Sequence, residues 1–372
     1  HAHPHPPPTP PAAAPRRDPG RGPAPVGTST AVNRPPAPRG GTPAAGGVGA
    51  GRAHGKAILL GEHTVVHGTP AIAFPLPTLQ VHAVAYPGEA GDSSAARRSA
   101  VTDRKTLRNN GYQFITGEGL PAAHPVSGPR VAVEEALRRW GLPGEIVEVA
   151  VDSEIPQARG LGSSAADAAA AVRAVADLYG RAVDPDSLYE FVQCGEQFAH
   201  GRASGVDARA ALADGPIRFH AGTARPLDVG LDAALVIADT GMPSGTQRAV
   251  AEVRGRLDRD HGSIRQLLER ATELVESAHA DLAAGRAEPL GRTLLYFQDL
   301  LDELGVGDPR IDTLVTAALD AGAFGAKLTG AGLGGCVLAL TEPGRGASTV
   351  SAALRRAGAV QTWTVPTRSV LP

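Results

Sequence analysis

Cysteine is scarce in this chain of 372 residues. Cys194 and Cys336 are too few for a disulfide framework or a four-thiolate metal site, and they suit a reducing compartment. Surplus charge is lacking as well: 36 Lys and Arg stand against 38 Asp and Glu, a formal net charge of −2. Without a basic excess to track a phosphate backbone, nucleic acid is disfavoured as a partner. No apolar run approaches the roughly 20 residues that a membrane helix needs, so no membrane association is expected. These absences together predict a cytoplasmic protein.

Proline is plentiful but uneven, with fourteen of the 32 prolines within the first 45 residues. There they alternate with Ala, Gly and Arg, and bulky apolar residues are almost missing. Such a segment cannot bury enough apolar surface to offset its conformational entropy, roughly 1–2 kcal/mol per residue for the backbone alone. Residues 1–45 therefore read as a disordered tail. Arg16-Arg17 is followed by Asp18-Pro19-Gly20 and not by an apolar stretch, which argues against an export signal. His1, His3 and His5 have no other ligand type nearby and read as a solvated, compositionally biased tract.

The remainder is longer than one core usually serves, which predicts two domains, 46–225 and 226–372, with the turn-rich stretch Ala221 to Gly230 as the boundary. Spacing of apolar residues predicts strands at 57–60, 79–85, 146–151, 233–239, 336–340 and 362–366. Helices are predicted at 131–140, 164–179, 187–200, 263–284, 289–304 and 310–321. Strands and helices interleave without a regular βα alternation, so the expected class is α+β.

The most informative stretch is Pro156-Gln-Ala-Arg159-Gly160-Leu161-Gly162-Ser163-Ser164-Ala165. Its glycines allow positive φ and close approach of a ligand to the backbone. The helix that follows has an apolar stripe at 165, 168, 169, 172, 175, 176 and 179, so its first turn is held in place. Unpaired N–H groups at that turn suit an anion such as phosphate, although a serine there also serves as a plain N-cap. No lysine occurs between Lys105 and Lys327, which excludes a Walker loop. Gly160-x-Gly162-x-x-Ala165 and Gly330-x-Gly332-x-x-Gly335 imitate dinucleotide fingerprints, but neither sits between a strand and a helix of a βαβ unit.

Three other stretches carry chemistry. Gly55-Lys56-Ala-Ile-Leu-Leu-Gly61-Glu62-His63 sets a cation, a carboxylate and an imidazole around a short apolar strand. Glu196-Gln-Phe-Ala-His200-Gly-Arg-Ala-Ser204-Gly205-Val-Asp207 contributes two acids near a core edge, either ion-paired for structure or functional. Lys327-Leu-Thr329-Gly330-Ala331-Gly332-Leu-Gly334-Gly335-Cys336 is a second glycine-dense turn, and two such turns favour a polyanion held from both sides.

With these motifs in this order, the chain from about Gly51 to Pro366 resembles the GHMP kinases, and among them the mevalonate kinases of actinobacterial type. The resemblance implies an N-terminal domain like ribosomal protein S5 domain 2, a ferredoxin-like C-terminal domain, and a site in the cleft between them. It implies transfer of the ATP γ-phosphoryl group to the 5-hydroxyl of (R)-mevalonate, with Mg²⁺ as cofactor. The ATP-binding positions would be Pro156, Arg159, Gly160, Leu161, Gly162, Ser163, Ser164 and Ala165, and the Mg²⁺ ligands Ser164 and Glu196. Asp207 and Lys56 would be catalytic. Glu62, His63, Thr246, Gly330 and Ala331 would line the mevalonate side with them. A homodimer is implied only at family level. This sequence departs from the family at Ala203 and Ala208, where Pro and Asn are common around the Ser-Gly-x-Asp turn.

Phosphoryl transfer asks for positioning and charge neutralisation more than covalent help, which amides, a metal ion and a lysine can supply. The rival readings are a phosphomevalonate kinase or another GHMP small-molecule kinase, and a non-catalytic nucleotide-binding regulator. Arg159, Arg202 and Arg209 keep the phosphorylated acceptor in play, because it calls for extra cations.

Overall fold

A computed structural model describes residues 47–88, 111–116, 126–257 and 261–368. The proline-rich tail lies outside the described residues, as does Lys105. Two antiparallel sheets, each covered by helices, form the α+β architecture.

The first sheet is built from β1 (Gly49–Leu60), β2 (Ala71–Pro87), β3 (Tyr112–Thr116), β4 (Val147–Ser153), β5 (Ile217–His220) and β6 (Thr223–Pro226). Its order is β3-β4-β2-β5-β6, and β1 pairs with β2. Against it lie α1 (Gly128–Arg139), α2 (Ser163–Leu178), α3 (Pro185–His200) and the short α4 (Val206–Ala211). The second sheet, β10-β7-β9-β8, joins β7 (Ala234–Asp239), β8 (Gly325–Thr329), β9 (Cys336–Thr341) and β10 (Gln361–Pro366). Its helices are α5 (Thr246–Leu257), α6 (His261–Ala284), α7 (Ala287–Glu303), α8 (Pro309–Asp320) and α9 (Arg345–Arg356).

Small residues set the central packing. Helix α2 buries Ala165, Ala166, four successive alanines from 168 to 171, and Ala174, which leaves a flat face. Strand β1 lies directly on that face through Gly49 and Gly51, where a Cβ would fall 2.1 Å from the Ala174 carbonyl oxygen and 2.0 Å from that of Ala170. The helix is thereby locked to the strand that carries Lys56, and its N-terminus is fixed relative to that side chain. Helices α1 and α3 cross as closely, at Gly128 and Gly195, where a Cβ on Gly195 would lie 2.4 Å from the Gly128 carbonyl oxygen.

The strands are longer than their apolar stretches. β1 runs for 12 residues and β2 for 17, and their register shifts between His54 and Gly55 and again between Ile58 and Leu60. Those breaks, with Pro75 and Pro77 inside β2, fragment the period-2 pattern and explain why spacing alone finds only 57–60 and 79–85. Among the described residues, no helix is long and apolar enough to cross a membrane.

Candidate active site

The site forms where three glycine-rich turns meet. The first is the loop ahead of α2. Gly160 and Gly162 take φ of 78° and 77°, and Gly162 is the N-cap of α2 with no side-chain cap on the helix. The first-turn N–H groups of α2 are therefore left for a ligand, with the positive end of the helix dipole behind them. The loop rests on Lys56: the backbone N–H of Lys56 donates to the Leu161 carbonyl at 3.0 Å, and its Nζ donates to the Gly160 carbonyl at 3.0 Å. Gly162 has no room for a side chain, since a Cβ would sit 2.8 Å from Lys56 Cγ.

Lys56 is 1% exposed and its ammonium makes an ion pair of 2.7 Å with Asp207, the second residue of α4. Asp207 is half open to solvent, 40% exposed at its side chain, so a carboxylate with a buried cation behind it faces the outside. Beside the pair lies Glu196, 3% exposed, whose Oε1 has no partner. Burial pushes the Glu196 carboxyl above its usual range, the nearby Asp207 charge adds to this, and a hydrogen bond from Ser164 opposes it. A buried carboxylate oxygen without a partner, next to a serine hydroxyl, is a donor set for a hard cation.

The turn after β8 completes the assembly. Gly330 and Gly160 pack backbone to backbone, a Cβ on Gly330 lying 2.8 Å from the Gly160 Cα. The Thr329 hydroxyl accepts from the Ile58 N–H and donates to the Ile58 carbonyl, both at 3.0 Å, which joins β8 to β1. His63 donates from Nε2 to the Ala331 carbonyl at 2.8 Å, and burial pushes its imidazole below the ordinary range. Glu62 is not open to solvent: it is 2% exposed and ion-paired with Lys327, which is fully buried. Burial drives Glu62 up and Lys327 down, each opposed by the charge of the other.

The loop from Thr240 to Gly245 closes the fourth side. Thr240 donates from N and Oγ1 to the Gly335 carbonyl, Ser244 N donates to Ala158 O at 2.7 Å, and Gly245 N donates to Gly332 O at 3.2 Å. Thr246 then opens α5, and its side chain lies outside the described residues. Of the other candidates, Leu161 and Ala165 are buried, so only their backbone is available to a ligand, and Pro156 is half-buried.

Backbone strain gathers here. Among the described residues, the non-glycine positions with positive φ are His63, Ala158, Leu333 and Ala221. The first three lie one in each glycine-bearing turn, and strained conformations persist where the surrounding structure holds them for function. The partnerships Lys327–Glu62, Thr329–Ile58 and Arg159–Asp239 escape sequence reading, because nothing in spacing ties residues some 80 to 270 positions apart. One signal was available: lysine occurs only at 56, 105 and 327 among the 36 basic residues, and two of these three stand in the motifs.

Comparison with known proteins identifies the family. Residues 128–215 match the family model "GHMP kinases N terminal domain", and residues 278–360 match "GHMP kinases C terminal". Fold and site thus define a kinase of the GHMP class. The mevalonate kinase of Aeropyrum pernix is 35% identical over 298 residues, 78% of this chain and 88% of that protein, and the mevalonate kinase of Pyrococcus horikoshii is 34% identical over 316, 82% and 91%. The crystal structure of L. major mevalonate kinase in complex with R-mevalonate shares the fold, with a TM-score of 0.69 at 24% identity, covering 88% of this chain and 100% of that one. The chain belongs to the mevalonate kinase family.

Proposed function

We propose that the protein transfers the γ-phosphoryl group of ATP to the 5-hydroxyl of (R)-mevalonate, giving 5-phosphomevalonate and ADP. The observation that carries this reading is the Lys56–Asp207 pair seated against the phosphate loop, in a chain of the mevalonate kinase family. The α2 N-terminus and the amides of 160–165 hold the phosphates, and Lys56 neutralises charge between them and Asp207. Asp207 orients the acceptor hydroxyl and takes its proton as the new O–P bond forms and the bond from the γ-phosphorus to the ADP oxygen breaks. Ser164 and Glu196 suit Mg²⁺, which needs only one or two protein ligands besides phosphate oxygens and water. When bound, Mg²⁺ supplies neutralisation of the phosphate charge during transfer. His63, Gly330 and Ala331, with Thr246 at the start of α5, are assigned to the acceptor side, and Glu62 next to His63 is held by its ion pair with Lys327.

Two ion pairs favour mevalonate over an already phosphorylated acceptor. Arg159 is bound to Asp239, and Arg209 pairs with Asp186 at 2.8 Å while stacking 3.7 Å over the Tyr189 ring. Of the three arginines that kept a phosphorylated acceptor in play, two are thus engaged within the protein. The test is ADP release in the presence of ATP and Mg²⁺ with (R)-mevalonate, 5-phosphomevalonate, homoserine or galactose. Turnover with mevalonate alone is expected. Turnover with 5-phosphomevalonate alone would move the assignment to the rival kinase, and no turnover with any acceptor would leave a nucleotide-binding regulator.

A further inference from the structure

Arg159 sits in the phosphate loop, where an arginine is readily taken for a ligand of the nucleotide phosphates. Its guanidinium points elsewhere. Nε donates to both oxygens of Asp239, at 2.9 and 3.2 Å, Nη2 donates to the Gly241 carbonyl at 3.2 Å, and Nη1 donates to the Gln157 carbonyl at 3.3 Å. Every nitrogen of the fork is engaged within the protein. Asp239 is the last residue of β7, 4% exposed, and it also accepts the Gly241 N–H at 2.7 Å. The chain from Asp239 to Gly245 is thus drawn down on the phosphate loop at its start by Arg159–Asp239. It is joined again at its end by Ser244 N to Ala158 O. That short chain leads straight into Thr246.

We infer that the Arg159–Asp239 pair is a positioning clamp that sets the acceptor-side loop carrying Thr246 and the phosphate loop as one unit. Arg159 acts through Asp239 and does not touch the nucleotide. The inference rests on the proposed reaction for its acceptor side, while its nucleotide side stands without it. A planar guanidinium suits the role because it meets a carboxylate and a carbonyl together, which an ammonium cannot do in the same geometry. Both sites then share this contact, and loosening it disturbs both.

The test uses the full chain with Arg159→Met, Arg159→Lys, Asp239→Asn and the double variant Arg159→Met/Asp239→Asn. The readouts are KM for ATP and for mevalonate, kcat, melting temperature, MgATP affinity by calorimetric titration, and hydrogen exchange at the Ser244 and Gly245 amides. Arg159→Met and Asp239→Asn are each expected to raise both KM values by about tenfold, since ångström-scale misplacement is costly in a positioned site. Both are expected to weaken MgATP in titration and to lose protection at Ser244 and Gly245. The double variant is expected to be no worse than the poorer single one, because the two residues act as one contact. Arg159→Lys should recover only part of the loss.

The clamp is overturned if Arg159→Met weakens ATP while Asp239→Asn leaves it unchanged, which is the pattern of a direct phosphate ligand. It is equally overturned if melting temperatures fall while KM, MgATP affinity and amide protection hold, which is the pattern of a merely structural pair. If the unmodified protein turns over no mevalonate, the proposed reaction fails, and the clamp is then judged by titration and exchange alone.

Discussion

Most buried charges around this site are matched by a partner of opposite sign: Lys56 with Asp207, Lys327 with Glu62, and Arg159 with Asp239. Asp167 differs, for it is 2% exposed and the groups beside it are neutral, the Tyr112 hydroxyl at 3.1 Å with Ser153 and Gln157 nearby. Burial pushes its carboxyl up to about 6, against hydrogen bonding that lowers it. A carboxyl raised in the folded state above its unfolded value near 3.8 holds its proton more tightly when folded. Ionising it costs stability progressively as pH rises from about 4 to 6, and the cost is complete above about 6. Asp167→Asn should therefore raise thermal stability at pH 7–8, by on the order of 2–3 kcal/mol. The difference should vanish below about pH 4, and melting curves across this range are the check. The Lys327–Glu62 pair makes the opposite prediction. Lys327→Met leaves a buried carboxylate unpaired and should destabilise by about 3–5 kcal/mol, while Lys327→Met with Glu62→Gln recovers much of it, as denaturant titration can measure. Neither Asp167 nor the Lys327 partnership was legible in the sequence. Asp167 looks like an ordinary polar position in the first turns of an alanine-rich helix, and only the fold brings Tyr112 to it.

Among the elements, the helices were the most readable. Their stripes run over three turns or more, and α3 and α7 fall within two residues of the ranges expected from spacing. The elements that escaped are short or interrupted. β5 and β6 have four residues each, β8 five and α4 six, too few for a period to emerge. β8 is concealed further because Lys327 lies within it, a charge that reads as a strand end until its partner Glu62 is seen. The glycines of β1 break alternation for a physical reason, the contact with α2. Gly51→Ala would place a Cβ 2.0 Å from the Ala170 carbonyl oxygen, backbone that cannot move aside without displacing the helix. It should cost roughly 1–3 kcal/mol or more, and because α2 carries the phosphate loop, MgATP affinity should fall in parallel with melting temperature.

At the scale of the whole molecule, near-neutral charge argues against an extended polyanion but not against a compact triphosphate, which a few amides, Lys56 and a metal ion can neutralise locally. The α+β class and the three glycine-bearing turns were readable before any coordinates. How the turns lock together was not, because it depends on bonds such as Thr329 to Ile58 between distant segments. The proline-rich tail contributes to none of the motifs, so a chain lacking residues 1–45 should keep its kinase activity, and a large loss in a turnover assay would give the tail a role. Phosphoryl transfer in this protein turns on Asp207 and the buried Lys56 behind it. Its most direct test is kcat of Asp207→Asn with saturating MgATP and (R)-mevalonate. A fall of about 10²–10⁴-fold or more, in a variant that melting curves show still folded at the assay temperature, is predicted for a residue that orients the hydroxyl and takes its proton. Some loss of melting temperature is expected because Lys56 loses its ion-pair partner. Near-normal turnover would contradict the account.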